Sequence, residues 1–281
     1  MHDKRPAAAR PPILDAKHHA APAVFRPENL LREARRQRGL ANQPVPEVCI
    51  LDPDGDIVRA LRRDGRGQPF PGWACYHSEM LTFDLPRGGV SEQVGMVGCA
   101  VGAPYAVLVA EQMFASGCRL LVSVTSAGRI SANLPDGACF VLIDRALRDE
   151  GTSYHYLPDQ TPFIDAAAPL ADLGFRALSA CGLTVSRGAT WTTDAPFRET
   201  AEAIAWAEAY GVLAVEMEAA ALYAFARVRG AAVLCLAHVT NRMAQVEGDF
   251  EKGEADGAYD ALRAITVVVD AWRSASSQMK V

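Results

Sequence analysis

From Glu47 onward, short apolar runs alternate with helix-like patterns, and that alternation constrains the fold more than any other feature of the chain. EVCIL (47–51), VGMVGCAVGAP (94–104), RLLVSVTSAG (119–128), ACFVLIDRAL (138–147), LTVSRGATWTT (183–193), VLAVEM (212–217) and AAVLCLAHVTN (231–241) read as strands or strand-to-turn segments. Between them YAVLVAEQMFASG, a stretch near 167–181, FRETAEAIAWAEAYG and EAAALYAFARVRG read as helices. A last helix carries Ala258, Leu262, Ile265, Val269 and Trp272 at three- and four-residue spacing, a core-facing stripe. Strands apolar on both faces, alternating with helices, predict an α/β sandwich: a mainly parallel or mixed sheet between two helix layers. No repeat or linker interrupts the pattern, so residues 26–281 read as one domain.

Ahead of it, residues 1–25 are rich in Ala, Pro and Arg without periodicity and read as a flexible arm carrying His18 and His19. RPENLLREARRQRG then reads as a short helix, with Pro27 near its start and Gly39 just past its end. Its arginines alternate with Glu28 and Glu33, the pattern of a solvated face rather than of a phosphate-binding one. A net charge of −5 gives no electrostatic reason to expect nucleic acid or a membrane surface as partner. No apolar run is long enough to suggest a transmembrane helix or a secretion signal. The seven cysteines include no CxxC pair and mostly sit in apolar segments, which points to buried free thiols in a reducing, cytoplasmic setting.

In sheets of this kind ligands gather at the carboxyl ends of strands. The residues falling there are Asp52 to Asp56, Ala100 to Pro104, Thr125 to Gly128, Thr193 to Glu199, Glu216 to Glu218 and His238 to Arg242. They are small, hydroxylated or charged where the strands are greasy. GCAVGAP is not a dinucleotide fingerprint, no P-loop lysine or GxSxG is present, and no His/Cys/Asp cluster has zinc spacing. A lone His238 is more often a core residue than a catalyst. In AVEMEAAALY, two carboxylates flank Met217 in apolar company. Such a pair could grip the vicinal hydroxyls of a ribose or pin a helix N-terminus, and the local sequence does not choose between them.

The ordered motifs GCAVGAPYAVLVAEQMFASG, SVTSAG, RDEGTSYHY, TTDAPFRET, AVEMEAAALYAFA and HVTNRM resemble those of the nucleoside phosphorylases and nucleosidases over roughly residues 47 to 272, and are closest to the uridine phosphorylase branch. The resemblance implies a distorted mixed sheet flanked by helices, a homodimer or higher homo-oligomer with sites near the interface, and cleavage of a nucleoside's N-glycosidic bond. It implies no metal or organic cofactor, with inorganic phosphate as possible co-substrate. Glu218 matches the ribose-binding glutamate, Met217 the methionine under the sugar, and Glu216 their acidic neighbour. Ser126 and Thr125 fall beside the acceptor. Thr193, Asp194, Phe197, Arg198 and Glu199 lie on the segment that closes over the base. Asn241 and Arg242 replace the Ser-Asp pair of purine-cleaving relatives. That substitution favours a pyrimidine, whose departing base carries negative charge that an arginine can hold.

The acceptor region departs from the pattern. PDGDI (53–57) replaces a glycine- and arginine-bearing turn, so Pro53 and Ile57 stand where Gly and Arg are expected around Asp54 and Gly55. Ser123 takes the place of a second arginine, and His77 falls near that of a third, lent across the interface in relatives. Guanidiniums are bidentate, permanently charged phosphate ligands, and their loss leaves water as the alternative acceptor. Arg129, His77 and the arginine-rich arm are the substitutes the sequence offers. A third outcome is a nucleoside-binding protein without turnover.

Overall fold

The fold was obtained as a computed structural model, which describes residues 14, 16–87, 90–158, 161–241, 247 and 252–278. The element order is α1 (Pro27–Arg38), β1 (Val48–Asp52), α2 (Asp56–Arg63), β2 (Gln68–Pro69), β3 (Leu81–Arg87), β4 (Val90–Gly98), α3 (Ala103–Ala115) and β5 (Leu120–Arg129). It continues as β6 (Cys139–Asp149), α4 (Ser153–Tyr156), β7 (Phe163–Asp165), α5 (Ala168–Ser179), β8 (Val185–Thr193), α6 (Ala201–Ala209), β9 (Val212–Glu216), α7 (Ala219–Arg229), β10 (Ala232–Asn241) and α8 (Ala258–Gln278).

All ten strands join one mixed sheet flanked by helices. β1, β4, β5 and β10 run parallel to one another, as do β6, β8 and β9; β10 meets β6 antiparallel, and β5 meets β9 antiparallel. β5 is the joint between the two senses. One of its edges pairs with β10 along nearly its whole length. The other is shared: Leu120 to Ser123 pair with β1, while Gly128 and Arg129 pair with β9. Between those two registers, Val124 to Ala127 have no strand beside them on that edge. The carboxyl ends of strands from both halves therefore converge on one gap.

Packing explains why the apolar runs became strands. Val48 to Leu51, Leu120 to Val122, Val141 to Ile143 and Val233 to Leu236 are all at most 2 % exposed, covered on both faces. α5, α8 and α2 pack in one group of helices and α1, α3, α4 and α7 in another. The expected stripe of α8 is in place, with Ala258, Leu262, Ile265 and Val269 buried and Trp272 packed at the edge of the core. α7 is apolar and sunk into the core from Ala219 to Phe225, where its Tyr223 hydroxyl needs partners. It donates to the Ile143 carbonyl and accepts from the Cys235 N–H, stitching β6 to β10 beside a bulge at Ile143/Arg145.

Residues 16–25 of the expected arm lie outside regular elements, and His19 Nε2 contacts the Tyr154 carbonyl at 2.9 Å; residues 1–13 and 15 lie outside the described residues. The arginines of α1 divide their roles. Arg32 and Arg36 bond Glu33 at the surface, whereas Arg35 reaches Ser116 and Arg38 the Cys75 carbonyl. The seven cysteines are free thiols, of which Cys99 is exposed and Cys181 half-buried. No helix among the described residues is long and apolar enough to cross a membrane.

Candidate active site

The gap along β5 is closed by the turn after β1. Buried backbone N–H groups require acceptors, and the Ser126 N–H, with no strand beside it, donates to Asp54 Oδ2 at 2.7 Å. Asp52 builds the turn that brings Asp54 there. Its carboxylate accepts from the Gly55 and Val58 N–H groups, capping α2, while its carbonyl accepts from Gly55 and Cys99. Gly55 has a φ of +78°, and a Cβ there would lie 2.5 Å from Cys99 Sγ, so the turn needs glycine twice over. Burial pushes the Asp52 carboxyl up to about 7, aided by Asp54 and Asp56 and opposed by the Val58 and Gly55 N–H bonds.

The carboxylate pair of AVEMEAAALY divides its work. Glu216 Oε1 accepts from the Thr190 and Thr192 hydroxyls, and Oε2 from the N–H groups of Glu218 and Ala219 at 2.7 and 2.8 Å. It pins the start of α7, where negative charge is favourable. Both oxygens are committed, so Glu216 reaches a sugar only by fixing the backbone of Glu218. Glu218 Oε1 accepts from the Gly102 N–H at 2.7 Å, at the start of α3. Its Oε2 is buried with no hydrogen-bond partner. Burial, and then the Glu216 charge, push the Glu218 carboxyl up to about 8, with Gly102 and Thr125 pulling the other way. Burial raises Glu216 as well. With four donors against one, Glu216 is the member of the pair that stays ionised. Met217 is half-buried between them.

The segment assigned to the base lies at the end of β8. Thr193 donates to Asp149 Oδ2 and accepts from the Ala195 N–H, and Asp194 accepts from the Gly151 N–H. Both brace the loop. Glu199 is half-buried, its carboxyl pushed up to about 6 by burial and by the Asp149 charge. Phe197 and Arg198 are exposed, Phe197 completely. At the end of β10, Asn241 is buried beside the Thr240 hydroxyl; Arg242 lies outside the described residues.

Of the acceptor candidates, Thr125, Ser126, Asp54 and Gly55 are together. Arg129 is not among them, because its guanidinium is spent on the carbonyls of Leu134, Pro135 and Gly137. His77 is exposed and lines a separate 430 Å³ pocket with Arg38, Arg62, Cys99 and Tyr105. Ser123 is 1 % exposed and its hydroxyl has no partner. His238 is buried, stacked on Phe140 at 4.4 Å, and burial drives its pKa down to about 4. That is the core histidine the sequence favours, although its ring also borders the acceptor corner.

Sequence reasoning missed Lys252. Its ammonium lies 2.6 Å from Asp56 Oδ2, 3.1 Å from Ser126 Oγ and 3.7 Å from Asp54 Oδ1. Nothing in the spacing of FEKGEAD signals this, since the residue reaches the site from beyond β10, far in sequence from Asp56. Gly102 was visible as part of a glycine-rich turn, but its role as donor to Glu218 was not.

Comparison with known structures places the fold. Uridine phosphorylase from Vibrio fischeri superposes with a TM-score of 0.63 at 20% identity, covering 84% of this chain and 94% of that one. The same enzyme complexed with 6-hydroxy-1-naphthoic acid gives 0.64 at 19% identity, over 85% and 93% of the two chains. A DeoD-type purine nucleoside phosphorylase from Brevibacillus brevis is 28% identical over 159 residues, 55% of this chain and 66% of that enzyme, just under two thirds of its length. The phosphorylase superfamily pattern matches residues 42–271, most of the chain, and the protein belongs to that superfamily.

Proposed function

We propose that the protein cleaves the N-glycosidic bond of a nucleoside, with a pyrimidine of uridine type as the leaving base. The observation that carries this reading is Glu218: a fully buried carboxyl with one oxygen bound to Gly102 and the other unpartnered, where strands of both halves end. A buried polar oxygen without a partner is costly. The ribose 2′- and 3′-hydroxyls supply two donors side by side, with Met217 as the soft surface beneath the ring. Asn241 and Arg242 serve the base, with the 193–199 segment as its cover. Phosphate as acceptor would give ribose 1-phosphate and water would give ribose, and a binding protein without turnover is the competing class. The test is base release across purine and pyrimidine nucleosides. Faster release from uridine than from adenosine supports the reading, adenosine-selective release overturns the pyrimidine assignment, and binding without release overturns the enzyme.

A further inference from the structure

We propose that the acceptor corner of this site holds water, not phosphate, and that Asp54 takes the water's proton, so that the chain hydrolyses its nucleoside. The inference rests on the nucleoside-cleaving reading above and names the second substrate. Its first ground is space. Beneath Ser126 lies a cavity of about 20 Å³, bordered by Asp54, Asp56, Thr125, Ser126, His238 and Lys252. A single water needs roughly 10–15 Å³ and two to four polar partners, and this border provides them. Phosphate, with four oxygens around phosphorus, would have to widen this corner by moving the side chains that border it.

The second ground is charge. The groups that would greet an anion already hold the protein's own carboxylates. The Ser126 N–H donates to Asp54, and the Lys252 ammonium is 2.6 Å from Asp56. An arriving phosphate would have to displace both and then lie against two carboxylates, with Lys252 the one cation among the described residues on the border and Arg59, outside it, already paired with Asp56. Ile57 is 2 % exposed and Ser123 1 %, so neither of the positions expected to carry an arginine supplies a cation. Among the described residues no group of three His, Cys, Asp or Glu side chains could hold a metal ion, so the acidic turn is not read as a cation site. The third ground is the neighbouring Glu218, whose unpartnered buried oxygen marks where the sugar sits. Asp54 is held by the Ser126 N–H and Glu218 follows β9, whose Val215 pairs with Gly128, so the two carboxylates flank the same stretch of β5.

The chemistry balances. Asp54 Oδ2 is held by Ser126, and Oδ1 faces Lys252 at 3.7 Å, leaving a lone pair for the water's proton. As that proton moves to Asp54, the water oxygen bonds to the anomeric carbon. The carbon–nitrogen bond breaks with its electron pair going to the base. The proton then passes from Asp54, through solvent, to the departed base. Nucleoside and water become ribose and free base. Lys252 fixes Asp56 and the Ser126 hydroxyl around the water.

The test uses the full chain with uridine or whichever nucleoside it cleaves best. Base release is followed from phosphate-free buffer to saturating phosphate, and the sugar product is identified. The expected result is a rate changed less than twofold by phosphate and ribose as the product. Asp54→Asn should lower kcat by roughly a hundredfold or more, the usual worth of a general base, with KM for the nucleoside little changed. Release that requires phosphate, with ribose 1-phosphate formed, overturns this inference and leaves the nucleoside-cleaving reading intact. No release from any nucleoside overturns both. Asp54→Asn at full rate removes Asp54 from the step; should that variant fail to fold, the phosphate series on the native chain decides.

Discussion

The sugar end and the acceptor end of the site are built from the same material, buried carboxylates at strand ends, and they use it oppositely. At the sugar end Glu216 is saturated with donors while Glu218 keeps one oxygen unpartnered, an arrangement that awaits hydroxyl donors. At the acceptor end Asp54 and Asp56 are matched internally by the Ser126 N–H, Lys252 and the Arg59 guanidinium, so both carboxylates already have partners. Only the first has an unmet demand for a ligand. On the proposal that water is the acceptor, the second turns an anion away and admits a neutral guest. The two ends hang on different connections: the β9–α7 junction for one, the β1–α2 turn and the return from β10 for the other.

The largest expected effect breaks the sugar end. Measured above pH 8, where the Glu218 carboxyl is ionised, Glu218→Gln removes the charge that two ribose hydroxyls would bond, worth about 1.5–3 kcal/mol per charge-assisted bond; kcat/KM should fall by roughly a hundredfold or more, while the same change on a nucleoside lacking both hydroxyls should matter little. Steady-state kinetics on the two substrates checks this.

Next comes pH. The Glu218 carboxyl titrates near 8, above its unfolded value of 4.5, and the diol binds the ionised form. Nucleoside affinity should therefore rise up to about tenfold per pH unit below 8 and level off above it. Because the folded state holds this proton more tightly, its contribution to stability is complete below about 4.5 and is lost as pH rises through 8. Glu218→Gln should accordingly melt above the native protein at pH 8 and with it near pH 4.5, read by thermal denaturation at both. A flat affinity profile would show that Glu218 is not the sugar ligand.

Smaller effects probe the supports. Thr192→Val strips one donor from Glu216 and the acceptor from the Ala220 N–H; a loss of about 1–3 kcal/mol is expected in denaturant melts. Gly55→Ala should cost a similar amount, about 1–3 kcal/mol, through the left-handed backbone and the contact with Cys99. The acceptor turn should suffer more than the sugar end, so kcat should drop before nucleoside affinity does. Phe197→Ala, fully exposed, should leave stability within about 0.5 kcal/mol and raise KM only if the segment closes over the base.

Much of the fold was legible because apolar runs and turn residues are local signals. The strand-end inventory named most of the residues that the fold gathers at the gap along β5, because carboxyl ends of strands meet there even where the sheet reverses its sense. The fold departs from expectation where distant residues decide. α2 begins inside what reads as a plain turn, because Asp52 caps it from four residues back. In β3 Leu81, Phe83 and Leu85 alternate with the exposed Asp84 and Pro86, and the proline argues locally against a strand. The choice for Glu216 between sugar clamp and helix pin depended on Thr190 and Thr192, more than twenty residues upstream. Lys252 could be placed only by folding the chain.

The most direct measurement compares base release from a ribonucleoside by the native protein and by Glu218→Gln, with folding of both confirmed by thermal melts. Release by the native chain, lost by roughly a hundredfold or more in a folded variant, is the predicted result. A folded Glu218→Gln protein that releases base at the native rate would contradict the account.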